Sequence, residues 1–251
     1  MKRFSFLLFC VVIVFCLQSA VAQTIPDLEK MTGIMKRLRD GYDKAPLSFD
    51  MKYIYANEHT PGKILDSLNG WVETDGTNYH SLMDNTETIH NDKYNIVLFR
   101  EDKIMYLAGA TSASMPVDPL LMMDSILTQS GATSCTISKA GKNTVIRIGF
   151  KEGGSCKRME MTIDTVAHRM LSMEYVVKTS LLTETPDAND KAAAEGYDEY
   201  AIVRSTFYNY RPLKPDASRF DDKTFFYKEG TEFRTKEAYS EYKIFVATPN
   251  L

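Results

Sequence analysis

Histidine and cysteine are the side chains of this sequence best equipped for chemistry, and there are four of each. His80 and His90 lie on either side of Asp84-Asn85. A hairpin centred on Asn85 sets them opposite one another on two strands, where two imidazoles share a metal ion. A shift of one residue sends them to opposite faces and makes each an ordinary surface polar group. His59, beside Glu58 and close to Pro61, and His168, between two strand patterns, fall where turns are expected. Cys135 and Cys156 are the two thiols outside the N-terminal leader. An even pair in an exported chain invites a disulfide. Placement on strands one and three of a meander holds the two Cα atoms too far apart for one. Acidic spots such as Glu101-Asp102 and Asp221-Asp222 occupy turn positions. They lack the spaced oxygen ligands of a calcium loop. The sequence has no G-x-S-x-G elbow, H-E-x-x-H pair, phosphate loop or dinucleotide fingerprint. No nucleophile can be placed beside a base. The expectation is a non-catalytic protein without metal or cofactor.

Methionine is the better clue. Of 13 Met, Met31 and Met35 fall on one helical pattern, Met122 and Met123 on another, and Met51, Met159, Met161, Met170 and Met173 on strand patterns. Met fills irregular apolar space in ordinary cores, and it also serves surfaces that accept variable hydrophobic ligands.

The elements that position these residues follow from periodicity. Ile25, Leu28, Met31, Ile34, Met35, Leu38 and Tyr42 recur at three- and four-residue steps, giving an amphipathic helix introduced by Pro26, Asp27 and Glu29. From Leu47 the period is two, with Phe49, Met51, Tyr53 and Tyr55 alternating against polar neighbours. Short strands follow, separated by Asp75-Gly76, Asp84-Asn85, Asn91-Asp92 and Glu101-Asp102. Such tight connections make antiparallel pairs. A second helix is expected after Asp118-Pro119, carrying Leu120, Met123, Ile126 and Leu127. Strands resume over residues 133–181, a polar loop spans 183–196, and long strands at 197–210 and 239–247 close the chain. Several strands, Ile96-Val97-Leu98-Phe99 among them, are apolar on both sides and need cover on both faces. A curled sheet with helices in its hollow meets that need, as does a two-sheet sandwich.

The first residues set the compartment. Lys2 and Arg3 precede an apolar core from Phe4 to Leu17, and Ala20-Val21-Ala22 offers a signal-peptidase site before Gln23. The apolar core is too short for a membrane span in the mature chain. The expectation is a periplasmic protein with a signal peptide at 1–22 and a single domain at 23–251. Lys+Arg total 30 against 33 Asp+Glu. The leader removes Lys2 and Arg3, so the mature chain is more acidic still. This balance disfavours nucleic acid and anionic membranes as partners.

Gly70-Trp71-Val72-Glu73-Thr74-Asp75-Gly76-Thr77-Asn78-Tyr79, placed after a signal peptide, helix and long strand, resembles the early part of the periplasmic lipoprotein carriers (LolA/LolB-like). Lys103-Ile104-Met105-Tyr106, Met161-Thr162-Ile163-Asp164 with Met170-Leu171, and Phe207-Tyr208-Asn209-Tyr210 with Phe220-Asp221 are similar to later steps of that family. Where the carriers place a basic residue and a proline after the tryptophan-bearing strand, this chain has Thr74 and Asp75. The resemblance implies a mainly β fold with α: a curled antiparallel half-barrel of about a dozen strands, its helices covering a concave apolar face. It implies binding of an apolar or acylated ligand, or a lipoprotein, without catalysis. The ligand-lining residues expected are Met31, Ile34, Met35, Leu38, Phe49, Met51, Trp71, Met122, Met123 and Ile126. The alternative is an adaptor in an envelope assembly, with an envelope protein as partner.

Overall fold

The computed structural model describes residues 25–110, 131–182 and 196–248. It opens with α1 (Leu28–Asp43), whose Met31, Met35, Leu38 and Tyr42 are buried on one stripe. Asp27 caps it in a left-handed conformation (φ 62°). The Asp27 carboxylate accepts from Lys30 Nζ at 2.7 Å rather than from an N–H of the helix's own first turn. The helix ends with Pro46 close behind, a residue unable to continue it.

Two antiparallel meanders follow. The first runs β1 (Leu47–Asn57), β2 (Ile64–Asp75), β3 (Asn78–Met83), β4 (Thr86–His90), β5 (Tyr94–Phe99) and β6 (Ile104–Gly109). The second runs β7 (Ala132–Ala140), β8 (Asn143–Phe150), β9 (Cys156–Asp164), β10 (Arg169–Lys178) and β11 (Tyr200–Pro212). Pairing of β1 with β11 stitches them into one curled, unclosed sheet. Gly76 and Gly141 take positive φ in two of the tight turns, as the sequence pattern requires. The chain then forms a small hairpin, β12 (Phe226–Glu229) with β13 (Glu232–Thr235), and ends in β14 (Lys243–Val246) beside β6. Among the described residues the large sheet has 12 strands, with β7 and β14 at its ends. This is the curled half-barrel that the residues and the family resemblance imply. Among the described residues one α-helix lies against it; the second expected helix falls outside them, as does nearly all of the expected polar loop.

The closing segment departs from the sequence expectation. The strand expected over 239–247 is confined to Lys243–Val246, and it pairs with β6 in parallel, unlike every other pairing in the sheet. The reason is what precedes it. Residues 213–242 cross the outer face of β4–β6 as a strap, so the chain returns to the sheet edge running alongside β6.

Cross-strand partners share a face, so the register sorts the side chains into an inner and an outer set. The inner, helix-bearing face carries Phe49, Val72, Met161, Met173, Val203 and Phe207, packed with Met31, Met35, Leu38 and Tyr42 in the larger core. On the outer face Ile89, Ile96, Leu98, Met105 and Leu107 form a second core under Phe225 and Phe226 of the strap. The strands that read as apolar on both sides are therefore covered outside by the strap. Helices in the hollow are only part of the answer.

Cys135 on β7 and Cys156 on β9 are both buried and both free, with β8 between them. The compartment argument for a disulfide gives way to strand spacing.

Candidate functional site

No arrangement for nucleophilic or metal chemistry assembles among the described residues. The register pairs Tyr79 with His90 and His80 with Ile89. The two histidines that a shifted register brings face to face therefore point to opposite sides of the sheet. His80 is on the outer face, edge-on to Trp71 with ring centres 4.9 Å apart. Its Nε2 meets Glu87 Oε1 at 2.7 Å, and Arg100 donates to Glu87 Oε2 through Nε at 2.9 Å and through its terminal nitrogen at 2.6 Å. Burial would raise the Glu87 carboxyl, but the hydrogen bonds from His80 and Arg100 outweigh it and hold it below the usual carboxylate range. This is a paired structural carboxylate. His59 is exposed, and its Nδ1 lies 2.9 Å from Asp198 Oδ2. Burial pushes the Cys156 thiol up to about 11 and raises Cys135 as well, which leaves both as inert thiols. No group of three potential metal ligands occurs among the described residues.

The inner face is the remaining candidate, and it divides into two halves. Over β7–β11 and β1 it is filled. Met31, Met35, Leu38 and Phe49, all expected to line a ligand seat, are brought together there as fully buried packing partners. Ile34 and Met51 sit at the rim of the same cluster, half-buried. Trp71 is not part of this group: it pairs with Asp50 and Leu82, which turns it to the outer face beside His80. Met122, Met123 and Ile126 lie outside the described residues.

The other half spans β2–β6 and β14, and its composition differs. One cross-strand row reads Val72, Ser81, Thr88, Val97, Tyr106 and Phe245. Tyr106 and Phe245 stack at 5.5 Å, Phe99 of the next row meets Tyr106 edge-on at 5.8 Å, and Tyr106 and Phe245 remain 41% and 45% exposed. This aromatic surface is left open on the face whose other half is a packed core. The row on the other side, Thr74, Tyr79, His90 and Asn95, is polar, with Thr74, Tyr79 and His90 buried and Asn95 half-buried. Tyr79 and His90 stack at 5.1 Å. Burial lowers the His90 pKa, which favours the neutral imidazole. The local sequence pattern did not reveal this row, because it takes one residue from each of four strands and exists only through their register.

The sequence matches no protein-family model, and no curated protein matches it. Solved structures do resemble it. An uncharacterized conserved protein from Thermus thermophilus superposes with a TM-score of 0.48 at 7% identity, over 86% of this chain and 99% of that one. A LolA superfamily protein from Nitrosomonas europaea gives 0.32 at 6% identity, over 76% of this chain and 97% of that one. The Pseudomonas aeruginosa MucA/MucB complex gives 0.33 at 10%, over 82% of this chain and 63% of that one. One of these structures is from a member of the superfamily that the sequence motifs resemble.

Proposed function

We propose that this is a non-catalytic protein of the periplasm, exported by a signal peptide cut before Gln23, with residues 23–251 as a single ligand-binding domain. Its ligand is an apolar or acylated molecule, free or carried on a lipoprotein, held against the inner face of the half-barrel. The observation that carries this reading is the unequal filling of that face. Helix α1 fills one half, while over β5, β6 and β14 the Phe99–Tyr106–Phe245 stack stays half-exposed. Ile34 and Met51 form the rim nearest the helix, and Met31, Met35, Leu38 and Phe49 act as the packed wall behind it. Among the described residues no helix is long and apolar enough to cross a membrane.

The test is saturable binding of a pyrene-labelled acyl chain, accompanied by a rise in the unfolding midpoint, since a ligand that prefers the native state stabilises it by mass action. Tyr106→Ala and Phe245→Ala are expected to weaken binding while leaving the fold intact. A protein that takes up no acyl probe rejects the reading.

An adaptor role is the second reading, and one feature favours it. Among the described residues β7 stands at the end of the sheet with no strand paired to its outer edge, a template for a strand from another chain. Native mass spectrometry separates the two: copurifying lipid supports a carrier, whereas a lipid-free mass with a bound partner chain supports an adaptor.

A further inference from the structure

Four polar residues stand side by side on the inner face, one from each of β2, β3, β4 and β5: Thr74, Tyr79, His90 and Asn95. Such a row is costly on a buried surface, because polar groups without partners lose their hydration for nothing. Yet the Thr74 hydroxyl oxygen and Asn95 Oδ1 are both buried and find no hydrogen-bond partner among the described residues. Thr74 is 0% exposed and His90 only 6%. Whichever way the Asn95 amide is set, a group that forms hydrogen bonds faces the inner side. The row itself carries no charged side chain. Glu73, His80, Glu87 and Arg100, on the same strands or next to them, belong to the outer face. The adjoining inner row, Val72 to Phe245, is uncharged as well. Asn95 leads along β5 through Val97 to Phe99. The polar row thus adjoins the open aromatic surface, about 13 Å of strand separating its two ends.

We propose that Thr74, His90 and Asn95 form a head-group site for an uncharged amphiphile, one whose hydroxyl and ester groups sit on the polar row while its acyl chain runs toward Phe99, Tyr106 and Phe245. This deepens the acyl-binding reading and rests on it. The chemistry selects against anions: a carboxylate or phosphate brought to this row meets no cation within the row, Lys243 on the same face standing at the far, aromatic end, and a desolvated charge without a partner is strongly disfavoured. A neutral head with several oxygens supplies the hydrogen bonds the row lacks.

The experiment compares ligands with one twelve-carbon chain, monolauroylglycerol, laurate and dodecyl phosphate, by calorimetry at pH 8 on the mature protein. Monolauroylglycerol is expected to bind at least tenfold more tightly than either anion. Thr74→Val and Asn95→Leu are each expected to weaken it about five- to tenfold, the loss of one neutral hydrogen bond. Both should narrow the preference over laurate. The thermal midpoint reports whether each variant folds; Thr74→Val keeps the shape and removes only an unpaired hydroxyl, so its midpoint should not fall. Equal binding of all three ligands, or variants that shift the midpoint without changing the preference, overturns the head-group site and leaves acyl binding standing. Failure of every chain to bind overturns both.

Discussion

Three residues show how tightly the helix is joined to the sheet. Tyr210 Oη donates to the Met170 carbonyl at 2.6 Å, and the Met170 N–H donates to Tyr42 Oη at 3.3 Å. With its proton so committed, Tyr210 accepts from Tyr42, whose hydroxyl lies 2.8 Å away. The ring of hydrogen bonds closes with no spare donor. Phe49 and Phe207 pack around it, and Arg169 lies over the Tyr210 ring at 4.9 Å. Tyr42→Phe leaves the Met170 N–H unpaired and should cost about 1–3 kcal/mol in urea denaturation. The phenyl ring that remains still fills the aromatic cluster, so the denaturant slope should not change. Cys156 gives a pH signature. Its folded thiol is raised to about 11 from 9.0 by burial. Its contribution is therefore intact below pH 9 and is lost as pH climbs through 11. Unfolding measured across that window should show a loss of stability that Cys156→Ala lacks. Of these residues, the burial of Tyr42 was legible from its helical spacing. Its hydroxyl partners were not, because 168 residues separate it from Tyr210.

Among the elements, α1 and the strap are the two covers of the sheet, and each was legible to a different degree. The stripe of α1 is written in a regular period, and Met31, Met35, Leu38 and Tyr42 are its buried residues. Met35 is fully buried while Ile34 sits at the rim. Met35→Ala should cost about 2–5 kcal/mol, and Ile34→Ala clearly less when measured in the same denaturant series. The strap has no such period. It is held by side chains spaced irregularly: Arg219 to Glu73 at 3.0 Å, and Asn91 Nδ2 to the Phe220 carbonyl and to Asp222 Oδ1, both at 3.0 Å. Asn91 Oδ1 also accepts from the Lys93 and Tyr94 N–H groups at 2.9 and 2.8 Å, so one amide fixes both the β4–β5 turn and the strap. Asn91→Ala should cost about 1–3 kcal/mol, because it orphans partners on both elements. Limited proteolysis should then cut within residues 213–242 sooner than in the parent.

For the molecule as a whole, the two covers imply that neither face of the sheet tolerates losing its partner. A chain truncated after Leu213 would expose Ile89, Ile96, Leu98, Met105 and Leu107 together. Apolar surface on that scale does not persist on a soluble monomer. The truncated protein is expected to aggregate, or to bind more ANS than the full mature chain does. A soluble truncation with native-like near-ultraviolet circular dichroism would mean that the outer core does not need the strap.

What depends on neighbours along the chain could be read from the residues without the fold. Alternation, helical spacing and turn residues such as Asp75-Gly76 set the helix, the strands and their antiparallel order, because each is a local steric and hydrophobic requirement. The carrier-like motifs pointed to the same curled sheet. Which face each strand shows, and what covers it, emerged only when the strands came together. A one-residue difference in register separates a histidine pair from two histidines on opposite faces, and nothing in the local pattern of β3 and β4 selects between them. Trp71 was turned outward by the same register, and the polar row of Thr74, Tyr79, His90 and Asn95 was assembled by it, from four strands whose residues meet only when the pairings are made. The strap and the parallel return of β14 depend on contacts more than a hundred residues apart, where loop closure rather than local preference governs the outcome.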